Sequence, residues 1–175
     1  LKETKNVKVK IIWCDNAGGN KTLQKDSLAK GLGLTFQFTA PYTSQHNGSI
    51  ERSFATLYGQ MCAMLNSNGI EGDFRQILWA EAANFENDTE NIMVNRNSEA
   101  CPYENFYGKM PPYSSNLQAF GQIGIANNGV KISGKLNNKG KVCMMLGYAK
   151  DNATRTYQLY NLSTKKFLNL INVCW

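Results

Sequence analysis

The chain has 175 residues, a hydrophobic share of 42%, an aromatic share of 11% and a net charge of +6, which suits one ordinary domain, or one with a small satellite, and excludes a disordered polypeptide. No apolar run approaches the roughly 18 residues that a membrane span requires, and the opening Leu1-Lys2-Glu3-Thr4-Lys5 has no signal-peptide apolar region. The missing initiator Met is what a processed polyprotein product or a cut fragment would show.

Val7, Val9 and Ile11 alternate with Lys8, Lys10 and Ile12, and Trp13-Cys14 complete a strand. Asp15-Asn16-Ala17-Gly18-Gly19-Asn20 reads as the loop at its C-terminal end. Residues 21–31 form a predicted helix with Leu23, Leu28 and Ala29 inward, ended by Gly31. Leu34, Phe36 and Phe38 then alternate with Thr35, Gln37 and Thr39 as a half-buried strand. Strand, helix and strand in so short a span make a β-α-β unit, so the two strands are expected to run parallel.

After the turn-rich Pro41–Gly48 comes an amphipathic helix near 49–66, with Phe54, Leu57, Tyr58, Met61 and Leu65 on one face. Ser49 as N-cap would put Glu51 in its first turn. A second long helix, from about Asp73 to Arg96, carries Ile77, Trp79, Ala80, Ala83 and Ile92, and a short turn runs from Cys101 to Gly108. Trp13, Trp79 and Tyr103 are expected in the core. Pro111-Pro112 and Ser114-Ser115 mark a boundary, giving predicted domains of 1–112 and 113–175. Beyond it the short runs 124–126, 142–146, 156–160 and 167–173, separated by Asn, Gly and Lys, suggest a small β-barrel.

Charge is unevenly spread: residues 51–104 carry −6, whereas 131–175 carry +7, with Asp151 the sole acid of that last stretch. A basic module beside an acidic one points to nucleic acid, against the plainer reading of a solvated surface. The five cysteines form no C-x-x-C pair and His46 is the only histidine, which argues against a zinc site within the chain and for a reducing compartment.

Asp15 follows one strand of the β-α-β unit, and Glu51 opens the helix after the other, with 35 residues between them. The C-terminal ends of parallel strands form the crevice where ligands bind, so both carboxylates are expected at one sheet edge. At about 4 Å they would repel by roughly 4 kcal/mol at an effective dielectric of 20. A hard divalent cation relieves that cost and leaves room for phosphate and water. Taken singly, Asp15 is equally a turn residue and Glu51 a helix-start charge.

The wording around the pair resembles the retroviral-type integrase family, copia branch. Ile11-Ile12-Trp13-Cys14-Asp15-Asn16-Ala17-Gly18-Gly19 is similar to that family's strand and D-N-x-G turn. Phe38 through Arg52 follows its F-T-A-P-Y-T-P-Q-x-N-G-x-x-E-R pattern, with Ser44 in place of the second Pro. Trp79–Ala82, Pro102–Pro111 and Phe120-Gly121 recur in family order. Gly134–Leu136, Leu146–Tyr148 and Tyr157–Asn161 resemble the small SH3-like domain that follows the core.

The resemblance implies an α/β fold: part of an RNase H-like integrase core, then a small SH3-like barrel. It implies DNA integration, a metal-dependent joining of element 3′ ends to target DNA, with Mg²⁺ or Mn²⁺ held by Asp15 and Glu51. It implies homo-oligomers on DNA, in the nucleus or cytoplasm and away from membranes. Tyr42, Gln45 and Asn47 match a loop that touches DNA ends in relatives, and Arg52 is a candidate phosphate partner or a surface ion pair. Lys135, Lys139 and Lys141 are assigned to phosphate by charge density alone.

The family uses three carboxylates, and the first lies on a strand upstream of Asp15. Glu3, the only acid before Asp15, is in no such strand. The chain by itself is therefore expected to be inactive, with an unpaired sheet edge. Ala17 for the usual Gly, and Asn20 after Gly19, also depart from the pattern. The alternatives are a non-catalytic DNA-binding remnant or domesticated relative, and, more distantly, a cellular RNase H-like nuclease, which would leave the Gly134–Asn161 pattern unexplained.

Overall fold

A computed structural model describes residues 9–40, 48–94, 96, 98–127, 140–150, 152 and 155–175. The chain divides into two compact units, residues 1–56 and 57–175.

In the first unit, strand β1 (Ile11–Cys14), helix α1 (Gly18–Ala29) and strand β2 (Thr35–Phe38) form the expected unit, with β1 and β2 parallel and Ile11 opposite Thr35 through Cys14 opposite Phe38. This register puts Ile12, Cys14, Phe36 and Phe38 on one half-buried face and Ile11, Trp13, Thr35 and Gln37 on an exposed one. Helix α1 starts three residues before the predicted position. The Asp15 carboxylate accepts from the Ala17 N–H, and the Ala17 carbonyl accepts from Asn20 and Lys21, which sets the first turn. Gly31 and Gly33, both at positive φ, end the helix and turn the chain into β2. Four expected core positions fail here. Trp13 is 60% exposed, and Leu23 and Leu28 of α1 are exposed together with Ala29. Two four-residue strands present too little surface to cover them.

The second unit holds the rest of α2 (Gly48–Ser67), helices α3 (Gly72–Ile92) and α4 (Pro102–Tyr107), and strands β3 (Ile123–Asn127), β4 (Gly140–Tyr148), β5 (Tyr157–Asn161), β6 (Lys166–Leu170) and β7 (Val173–Cys174). The strands form one antiparallel sheet in the order β6-β5-β4-β3-β7. The predicted run 167–173 is thus two strands at opposite edges, joined by Ile171-Asn172 alone. A flat five-stranded sheet would separate its edges by roughly 19 Å. The three peptide steps from Leu170 to Val173 reach at most about 11 Å, so the sheet must curl sharply. Among the described residues it does not close: β6 pairs only with β5, and β7 only with β3.

Strand β4 is buried on both faces. Met144 and Leu146 meet Met61, Leu65, Leu78, Ala82 and Phe120, whereas Cys143 and Met145 meet Ala126, Tyr157 and Leu159 inside the curl. A bulge between Met145 and Gly147 shifts the register, so Tyr148 joins the second cluster rather than the first. Residues on both sides of Pro111-Pro112 therefore share one core. Helix α3 faces it with Phe74, Leu78, Ala82 and Phe85, spaced by three or four residues. Trp79 and Ile77, neighbours of Leu78, are rotated outward and exposed. On α2 only Met61 and Leu65 of the predicted stripe are buried, while Phe54 and Tyr58 are exposed.

Several sequence landmarks have structural explanations. Phe120 sits edge-on to Phe85 in the core, and Gly121, at φ 78, donates to the Met145 carbonyl with the Asn68 side chain against its Cα. Cys101 caps α4 through its Sγ, Pro102 opens that helix, and Gly108 closes it in the left-handed region. Asn161 is wholly buried, and its Oδ1 accepts from Ser163 and Thr164 to fix the turn into β6.

Candidate functional site

Asp15 stands immediately beyond the C-terminal end of β1, beside the corresponding end of β2, where the Thr39 N–H donates to the Cys14 carbonyl. Its side chain is solvent-facing. Oδ1 accepts from the Ala17 N–H at 3.1 Å and from Asn20 Nδ2 at 2.6 Å, and Asn20 also reaches the Asp15 carbonyl. Asn16 reaches across to the Thr39 carbonyl and holds the ends of the two strands together. The D-N pair thus builds the turn, and Asp15 Oδ2 stands outside those two bonds.

Glu51 lies exposed in the first turn of α2, with Arg52 exposed next to it, but the helix begins at Gly48, so Ser49 lies within it and is not its N-cap. Asp15 and Glu51 belong to the same compact unit. Tyr42, Gln45 and Asn47 lie outside the described residues, as do Lys135 and Lys139 in the segment joining β3 to β4. Lys141 is described: it is half-buried on β4 opposite Ala126, and its charge opposes the upward push that burial gives the Cys143 thiol.

Two exposed carboxylates offer the oxygen chemistry that a hard divalent cation takes, and Asp15 keeps one oxygen clear of the turn. Among the described residues, no group of three or more His, Cys, Asp or Glu gathers closely enough to hold a metal ion.

Sequence reasoning missed a second feature, in the other unit. A cavity of about 510 Å³ opens between the C-terminal half of α3, α4 and the segment after β4. At its wall Lys150 Nζ lies 2.6 Å from Asp88 Oδ1. Burial pushes the Asp88 carboxyl above its usual range, and Lys150 pulls it back. Tyr113 stacks on Tyr148 at 4.6 Å between ring centres, and the Tyr148 hydroxyl is held by the backbone of Gln118. Burial, aided by the Asp88 charge, raises the Tyr113 hydroxyl, so it stays protonated at neutral pH. Asp88 was hidden in an acidic helix, and Lys150 among eight basic residues. Only the cluster of tyrosines around 103–113 hinted at a wall.

No protein-family model matches the chain. Over 166 residues, 92% of its length, the chain is 26% identical to the retrovirus-related Pol polyprotein from transposon TNT 1-94 of Nicotiana tabacum. It spans 12% of that polyprotein. The similarity supports a retrotransposon Pol region and reaches across both compact units.

Proposed function

We propose that the chain is part of the integrase region of a retrotransposon Pol polyprotein: residues 1–112 from the C-terminal portion of an RNase H-like core, and 113–175 from an SH3-like domain. The observation that carries this reading is the parallel β1–α1–β2 unit with Asp15 at its C-terminal edge, where α/β sheets bind ligands. The sharp curl of the five-stranded sheet supports its second half.

In this reading Asp15 and Glu51 supply two of three carboxylates that hold Mg²⁺ or Mn²⁺. Such ions, when bound, activate an attacking hydroxyl and stabilise the leaving oxygen of a phosphodiester. Asp15 is kept in position by Ala17 and Asn20, and Glu51 by the first turn of α2. Tyr42, Gln45, Asn47 and Arg52 contact the element ends. Lys135, Lys139 and Lys141 hold phosphates, which fix position rather than sequence. The complex is a homo-oligomer on DNA, inside the cell.

A non-catalytic DNA-binding remnant is favoured by one observation: Asp15 Oδ1 is already engaged in the turn. Titration of the chain with Mn²⁺, followed by NMR line broadening, separates the two. The integrase reading expects broadening centred on Asp15 and Glu51 and lost in the D15N/E51Q double variant. Broadening elsewhere, or unchanged in that variant, leaves the remnant. In either case the 175-residue chain alone is expected to give no strand-transfer product, because it supplies only two of the three carboxylates.

A further inference from the structure

The cavity beside Asp88 has no part in the reading above, yet its chemistry is specific. Its size falls in the range of small-ligand sites. One wall is aromatic: Tyr103 and Tyr107 of α4 pack with ring centres 4.4 Å apart, and the Tyr113–Tyr148 stack adjoins them. Such a wall takes a flat ring. Asn87 and Asn91, one helical turn apart on α3, add side-chain amides, which both donate and accept. The charges select further. Among the described lining residues Asp88 and Lys150 neutralise each other, and Arg155, which is exposed, adds a positive charge.

From this combination we infer that the cavity holds one unpaired nucleotide of single-stranded nucleic acid. The base lies against the tyrosines, its polar edge meets the α3 amides, and its phosphate faces Arg155. A paired base has both faces stacked and its edge occupied, so duplex is excluded. Stacking accepts any base, so the site is tolerant of sequence. The site needs neither Asp15 nor Glu51. It shares with the proposed integrase role only the class of partner, and would serve a frayed or single-stranded end.

The test is a titration of the full chain with a short single-stranded oligonucleotide, the four deoxynucleoside monophosphates and the matching duplex, read by fluorescence anisotropy and by NMR shifts. The expected result is binding of single strand and monophosphates with shifts at Asn91, Tyr103 and Tyr107, and no such shifts with duplex. Tyr107→Ala should weaken binding about tenfold, Tyr107→Phe should leave it within about twofold, and D15N/E51Q should not change it. Arg155→Gln, at an exposed position, should weaken binding and lower its salt dependence by about one phosphate contact. Absence of binding at millimolar monophosphate overturns the inference, as do shifts that avoid the cavity or binding indifferent to both Tyr107→Ala and Arg155→Gln. Failure of the Mn²⁺ test with these results intact would sink the integrase role and leave this site standing.

Discussion

Lys150 Nζ lies 2.6 Å from Asp88 Oδ1 and ties the last turns of α3 to the end of β4. The partners are unequal: the aspartate is nearly buried, while the lysine is more than half exposed. Burying the carboxylate is the costly part, and the lysine offsets it.

Lys150→Ala should therefore destabilise the fold at pH 7 by about 1–2 kcal/mol, between the values for surface and buried pairs. The Asp88 carboxyl is raised by burial, and Glu86, raised by burial and by Glu90, behaves alike. An acid with a raised folded-state pKa favours folding in its protonated form, so its contribution is fullest at low pH and is lost as pH rises through that pKa. The cost of Lys150→Ala should accordingly shrink as pH falls from 7 through the raised Asp88 pKa. Urea midpoints at several pH values, with Asp88→Asn as the pH-insensitive control, measure it. An equal loss at every pH would show that the pair has no electrostatic role.

Leu78→Ala should cost about 2–5 kcal/mol, because the side chain is fully enclosed between α3 and the sheet. Trp79→Ala, one residue on, should change stability by less than about 0.5 kcal/mol. Thermal melts of the two variants compare directly. Similar losses would mean that α3 presents a different face.

That contrast marks what was legible. Helical periodicity located α3, but its stripe could be read through Ile77 and Trp79 or through Phe74, Leu78, Ala82 and Phe85. The two stripes differ by one residue, and only the sheet beneath decides between them. Parallel pairing of β1 and β2 followed from the β-α-β spacing, and Glu51 fell in the first turn of α2, although that helix begins at Gly48 rather than after a Ser49 cap. The cavity did not show, because Asp88, Tyr113 and Lys150 lie far apart in sequence. Their meeting depends on the β4 bulge that turns Tyr148 inward. The break at Ile171-Asn172 was invisible for a related reason: a seven-residue apolar run reads as one strand until its two ends are found on opposite edges.

Asp15→Ala should loosen the β1–α1 turn by about 0.5–1 kcal/mol, the size of a lost cap, since both Ala17 and Asn20 donate to Oδ1. Asp15→Asn keeps an acceptor there and should recover most of that loss. The proposed ligand role requires the charge, so Mn²⁺ binding should fall in both variants while stability falls in one. Parallel losses of stability and Mn²⁺ binding in both would reduce Asp15 to a turn residue.

Gly121→Ala should be worse than an ordinary loop substitution. Its φ of 78 lies in the left-handed region, and an added Cβ would run into the Asn68 side chain. Asn68→Ala removes the second obstacle and leaves the first, so the double variant should regain part of the loss. Differential scanning calorimetry of both variants checks this, and the absence of any rescue would assign the whole effect to the backbone.

The two units should differ in local stability. A two-stranded parallel sheet has one pairing for each strand, and no side chain of β1 or β2 is fully buried. In the other unit Met145 and Leu159 are wholly buried and β4 is paired on both sides. Amides of Thr35 and Thr39, which close the β1–β2 ladder against the Lys10 and Cys14 carbonyls, should therefore exchange with solvent at least about a hundredfold faster than that of Met145, as sub-global opening allows. Equal protection of all three amides in the isolated chain would mean that β1 and β2 draw stability from contacts that their exposure does not reveal, and would remove the case for an unpaired sheet edge.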